Sequence, residues 1–176
     1  ELATKLRSGV PLKRLLAAGA LANARSFGGE DYIGFHTMMA LTPALKMADA
    51  MPKEQAALPV FKVLYRNTNR IQEHGGRGSE VLHPVSGDAQ TTQMPGEQLR
   101  DLVRTKNTEA AEKTFAAMVG KNADDAFDAL LHVVQENPEV HRTVLPYRAW
   151  DLLAVVGREH AHTLLRQSLR YCLESE

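Results

Sequence analysis

The chain has a single cysteine, Cys172, and a single tryptophan, Trp150, among 176 residues. One thiol excludes an internal disulfide, a Cys-X-X-Cys redox pair and a cysteine-based zinc ribbon. It also agrees with the reducing environment of the cytoplasm, which is the expected location. An excess of charge is missing too: 21 Lys and Arg are matched by 21 Asp and Glu. Nucleic acid therefore meets no strong basic field, and none is expected as a partner. Long apolar runs are absent. The longest stretches, "LLAAGALA" and "LLAVV", fall far short of the roughly 20 residues that cross a bilayer, so no membrane partner is expected. No signal-peptide pattern is visible, and the chain starts at Glu1 with "ELATKLRSGV", as if already inside a helix. That beginning fits a piece trimmed from a longer protein, in which a removed leader would leave no trace.

Period-two alternation is equally scarce; "SEVLHPV" (79–85) is the one short extended candidate. The rest is helical in period. With 44% hydrophobic and 24% charged residues, the composition is that of a globular chain with a substantial core. "PLKRLLAAGALANAR" (11–25) is rich in Ala and Leu and poor in β-branched residues. "SFGGEDYIG" (26–34) interrupts it with paired glycines. Helix resumes over 35–51, where Pro43 should kink it or restart it a turn later, and again over 52–73, opened by Pro52. Further helices are expected over 97–105, 108–120 with Asn107 as cap, 122–137 with Asn122 as cap, 138–157 with a disturbance at Pro146, and from Gly157 to about Leu173. Between them lies "HGGRGSEVLHPVSGDAQTTQMPG" (74–96), crowded with Gly, Ser, Thr, Gln and Pro. A connection of that length is either functional or mobile. The expectation is an all-α bundle of about seven to nine helices in one domain, with halves at 1–73 and 97–176 joined by the 74–96 loop.

An internal repeat shapes that expectation. When His36 is laid on His141 and both segments are read forward without gaps, Ala44/Ala149, Glu54/Glu159, Ala56/Ala161 and Leu64/Leu169 coincide. Pro52 then falls on Gly157, so one helix–turn–helix hinge appears in both halves. Such a duplication predicts two related helix pairs packed about a pseudo-two-fold axis.

The residues with chemistry are mainly histidines. His36, His141 and His160 each share a helical stripe with apolar neighbours and should lean inward. Under the repeat, His36 and His141 are symmetry mates near the axis. Three imidazoles from three helices suit a transition metal, Zn²⁺ or Fe²⁺, with Glu159, Glu30 or Asp31 completing the set, or one of them suits a general base. His160, beside Glu159, is the first candidate for chemistry. Against this stands the plainer reading, in which the histidines are hydrogen-bonded structural groups. A di-iron carboxylate arrangement fails in the first half, where "EQAA" has Glu54 but no histidine to match "EHAH".

His162, flanked by Arg158 and Arg166, reads as solvated surface; His74 and His83 read as inert loop residues, and His132 as partly buried core. Tyr147, Arg148 and Trp150 could line a small-molecule pocket, although Arg148 with Asp151 is also an ordinary surface pair and Trp150 a packing anchor opposite Leu45. "GGRG" (75–78) follows no strand and lacks any phosphate-loop pattern.

Taken together, Gly34, His36, His141, Trp150 and the Gly-X-X-His-Ala-X-X-X-Leu-Arg segment of Gly157, His160, Ala161, Leu165 and Arg166 resemble an uncharacterised group of bacterial all-helical proteins. The layout is also loosely similar to questin-oxidase-like proteins. The first resemblance implies an all-α fold and no particular reaction; the second implies oxygenase chemistry. Asp151 stands where the pattern has Arg after the tryptophan, and no Gly precedes His141. Two function classes follow. The first is a helical binding or scaffold module whose histidines are structural and whose loop meets a protein partner or small ligand. The second is a metal- or oxygen-dependent enzyme using His36, His141 and His160.

Overall fold

The computed structural model describes residues 1–176 as nine α-helices without a strand. They are α1 (Leu2–Arg7), α2 (Leu12–Phe27), α3 (Tyr32–Ala50), α4 (Leu58–Glu73), α5 (Pro95–Arg104), α6 (Thr108–Lys121), α7 (Ala123–Val134), α8 (Val140–Val156) and α9 (Ala161–Ser175). The class is all-α, as the periodicity predicts. No helix is long and apolar enough to cross a membrane.

Helix boundaries follow local chemistry. Asn107 and Asn122 cap α6 and α7, their side chains accepting from the backbone N–H groups of Ala110 and Asp124, where the first turn of a helix leaves donors unpaired. Asp31 does the same for α3 through Gly34 N–H, and Glu139 for α8 through the N–H groups of His141 and Arg142. Gly157, at φ +109°, ends α8 in a conformation that costs a side-chain-bearing residue strain. One 3₁₀ turn (Arg158–His160) then reverses the chain into α9.

Several expectations are corrected. Pro43 and Pro146 lie inside continuous helices. Each removes one backbone hydrogen bond, but their helices are held on both sides of the proline by buried residues such as Leu41, Leu45, Leu145 and Ala149. Pro52 does not open α4; residues 52–57 form turns, and Pro59 occupies the first helical turn instead. The stretch 79–85 makes no strand. Its Val81 and Leu82 N–H groups both bond the Arg25 carbonyl, closing over the end of α2.

The core is one continuous apolar cluster drawing on α2 to α9, with Leu16, Met38, Leu41, Leu64, Leu99, Phe115, Leu130, Leu145, Leu152 and Leu164 essentially inaccessible. Each such side chain contributes about 1.5–3 kcal/mol of burial free energy. The hairpins α3–α4 and α8–α9 are both present and α3 packs on α8, as the repeat suggests. The rest is unequal. α2 packs against α8 and α9, whereas its counterpart α7 makes no comparable contact with α3 or α4. An internal two-fold is therefore not seen.

Buried polar groups pin α2 to the first hairpin. The Asn23 Nδ2 amide, with two hydrogens to give, lies within hydrogen-bonding distance of the Gly34 carbonyl (2.8 Å), Thr37 Oγ1 (3.0 Å) and Asn67 Oδ1 (2.7 Å), and Asn67 in turn donates to the Gly19 carbonyl (3.0 Å). Because unpaired amides are costly inside a core, these bonds select one register between the three helices.

Candidate functional site

Packing α3 alongside α8 brings together the first turns of the two helices, and with them two of the predicted histidines. His36 Nε2 lies 3.3 Å from His141 Nε2. Both rings are half-buried, framed by Tyr32, Phe35 and Tyr171 with ring centroids about 4–6 Å away. Of their outer nitrogens, that of His36 is hydrogen-bonded and that of His141 is only near a carboxylate. His36 Nδ1 sits 2.7 Å from the Tyr32 carbonyl, and His141 Nδ1 sits 3.3 Å from Glu139 Oε2. Burial opposes the charge of Glu139, but the His141 and Arg142 amides and the Tyr171 hydroxyl donate to it and hold its carboxyl below the usual range. Conversely, burial and the charge on Glu139 push the Tyr171 hydroxyl up to about 12.

The remainder of the predicted metal set is elsewhere. α8 has 17 residues, so its far end lies about 25 Å from its start. His160 and Glu159 follow that far end, where the His160 ring lies 4.0 Å from the Glu159 carboxylate. Glu30 pairs with Arg170, and Asp31 caps α3 and holds Arg70 at 2.6 Å. No group of three or more His, Cys, Asp or Glu side chains stands close enough to hold a metal ion. The expected convergence of His36, His141, His160 and Glu159 is corrected to a pair, His36 with His141. A shared stripe reports which way a side chain leans, not how far along the bundle it sits.

Tyr147, Arg148 and Trp150 do not converge on a pocket. Tyr147 is exposed, with the Arg148 guanidinium over its ring. Arg148 meets Asp151 at 3.5 Å, the ordinary surface pair. Trp150 stacks on Phe127 of α7 (4.5 Å, 20°) and is covered by Arg158. His132 is nearly half exposed beside Glu97 instead of in the core.

A second cluster was illegible in the sequence. Glu112 of α6 is buried and its Oε1 accepts from both Arg166 Nε and Arg170 Nη1 of α9, each at 2.9 Å. Burial would raise its carboxyl, but the two guanidiniums keep it below the usual range. Arg166 extends further, donating from Nη1 to the His83 carbonyl at 2.6 Å. The segment 80–85 is thus tied at one end to α2 and at the other to α9. Beneath it remains a cleft of about 310 Å³ lined by Arg25, Glu80, Leu82, His83, Pro84, Val85, His162, Thr163 and Arg166.

His162 is accordingly no surface residue. Burial first, and the Arg166 charge second, press its pKa down to about 4, with Glu112 opposing. Its Nε2 is buried without a hydrogen-bond partner. The one hint in the sequence was Arg166 and Arg170 at i,i+4 among Leu165, Leu169 and Leu173, two cations on a helix that has little polar surface to give them.

No family model, curated protein or solved structure matches the chain.

Proposed function

We propose that this protein is a helical binding module whose ligand is a small organic anion held in the cleft beneath residues 80–85. One observation carries the reading: the only long irregular segment of the chain is tied down at Arg25 and Arg166, and the space it encloses is lined by unlike groups. Arg25 and Thr163 offer donors there, His162 is held neutral, and Leu82, Pro84 and Val85 supply an apolar wall. A carboxylate with a short apolar body fits that mixture, the wall removing it from water and the guanidinium of Arg25 meeting its charge. Ligand pockets commonly combine an apolar lining with a few placed polar groups in this way.

The test is a titration of the ¹⁵N-labelled protein with a series of small aliphatic and aromatic carboxylates. Saturable amide shifts confined to residues 80–85, 162–166 and the end of α2, and lost in Arg25→Ala, are expected. Shifts scattered over the surface, or equal in Arg25→Ala, overturn the reading. The enzyme alternative now concerns His36 and His141 alone, since His160 lies at the other end of α8.

A further inference from the structure

The backbone of residue 81 is fastened beside that of residue 25: the Arg25 carbonyl accepts from both the Val81 and Leu82 N–H groups, at 2.8 and 3.0 Å. Arg25 and Glu80 therefore rise from neighbouring positions near the end of α2, and both line the cleft beneath residues 80–85. The other arginines of this region are engaged. Arg166 meets Glu112 and the His83 carbonyl, and Arg170 meets Glu112 and Glu30. Arg25 and Glu80 form no ion pair, with each other or with any other residue, and neither side chain makes a hydrogen bond within the protein. A cation and an anion are thus set side by side in one cleft without neutralising each other.

We propose that the ligand of this cleft is a zwitterionic α-amino acid with a short aliphatic side chain, its carboxylate on Arg25 and its ammonium on Glu80. The inference rests on the reading of the cleft as a carboxylate site and narrows it. An α-amino acid carries opposite charges on either side of one carbon, so two oppositely charged side chains rooted at adjacent backbone positions can meet both at once. The guanidinium offers a planar fork of N–H donors to the carboxylate, and the Glu80 carboxylate accepts from the ammonium. Other anions fit less well. A dicarboxylate or a phosphate ester would set a second negative charge against Glu80, and a simple carboxylate would leave Glu80 beside it without a partner. His162 adds no charge of its own, since burial presses its pKa down to about 4, and Glu112 already balances Arg166. The wall selects the other end of the ligand. Leu82, Pro84 and Val85 have only aliphatic side chains to offer it, and the volume of about 310 Å³ lies at the lower end of the roughly 300–1,000 Å³ of ligand sites. A short branched aliphatic chain suits both.

The experiment titrates the intact ¹⁵N-labelled protein with L-valine and L-leucine, and with 3-methylbutanoate and 4-methylpentanoate, the same carbon frames without the amine. Saturable shifts of the amides of residues 80–85 are expected for the amino acids, with a Kd about tenfold or more below that of the matching carboxylate, the factor that one hydrogen bond between charged groups supplies. In Glu80→Gln the amino acids should fall to the affinity of their deaminated counterparts, while the carboxylates bind no more weakly than before. Amide positions outside the cleft check that the variant folds. Deaminated acids that bind the unaltered protein as tightly as the amino acids, or more tightly, overturn the inference and leave the carboxylate reading standing. A preference for amino acids that survives in Glu80→Gln overturns the assignment of Glu80 in the same way. Binding of neither set overturns both readings.

Discussion

Glu112 and Arg166 are 54 positions apart in the chain, yet their side chains meet at 2.9 Å with only 11% and 6% of their surfaces exposed. The carboxylate joins α6 to α9, and the same arginine joins α9 to residue 83. One buried charge thereby governs both a helix interface and the segment over the proposed ligand cleft.

Removing that carboxylate leaves two guanidiniums facing an empty position. Glu112→Ala should lose about 3–5 kcal/mol of stability in urea unfolding, the range for breaking one side of a buried pair. Glu112→Gln keeps an acceptor oxygen and should lose less. Hydrogen exchange adds a local readout: the Val81 and Leu82 amides should lose protection in Glu112→Ala at denaturant levels where α2 remains protected. Equal stability in all three proteins would refute the assignment of Glu112 as the tie.

His162 makes stability depend on pH, with a definite sign. Its folded pKa is depressed to about 4, while the unfolded chain titrates near 6.5. Between those values the unfolded state binds more protons, so the His162 contribution is fully present above about pH 6.5 and lost as pH falls toward 4. The upper bound is about 3 kcal/mol, at about 1.4 kcal/mol per unit. His162→Leu should flatten this limb of the stability profile while leaving stability near pH 7 within about 1.5 kcal/mol. An unchanged slope in the variant would show that the ring is free to protonate in the folded state.

Gly29 packs directly on the backbone of α9 at Gln167. A Cβ there would lie 2.1 Å from the Gln167 carbonyl oxygen, and φ is +88°. Steric overlap with backbone and an unfavourable dihedral act together, so Gly29→Ala should cost at least about 2–3 kcal/mol. Gly76→Ala is the control: its φ is also positive, +68°, but nothing stands within 4 Å, so its loss should be about 1–2 kcal/mol. Comparable melting temperatures for the two variants would remove the steric part of the account.

Cys172 reports on global unfolding. The thiol is fully buried, and burial pushes its pKa up to about 11 despite Arg142 nearby. Thiolate being the reactive form, labelling by a thiol reagent at pH 8 should proceed only through opening of the fold, its rate tracking the unfolding free energy across the variants above. Rapid labelling of the native protein, at the rate of a free thiol, would place Cys172 outside the core.

The parts of this structure that were legible in the sequence are those set by near neighbours. Asn107 and Asn122 precede their helices because an amide side chain can reach the N–H groups two or three residues on, and α6 and α7 start where those residues predict. The absence of strands and the long stretch without α-helix were equally readable, as period and composition are local properties. Pro43 and Pro146 misled for the complementary reason. A lost backbone bond is a local cost of about 3 kcal/mol, and burial along the rest of α3 and α8 offsets it.

By itself the amino-acid sequence determined the helical class, the caps and turns, and the stripes on which His36, His141 and His160 sit, because each depends on spacings of a few residues. Only the tertiary structure decided which of them meet. Laying α3 beside α8 puts residues 36 and 141 at 3.3 Å, while the length of α8 carries His160 to its far end. It also turned Arg166 inward to Glu112 and put His162 beneath residues 80–85. Contacts between distant segments follow from how whole helices bury their apolar faces together, and no short spacing in the chain encodes that.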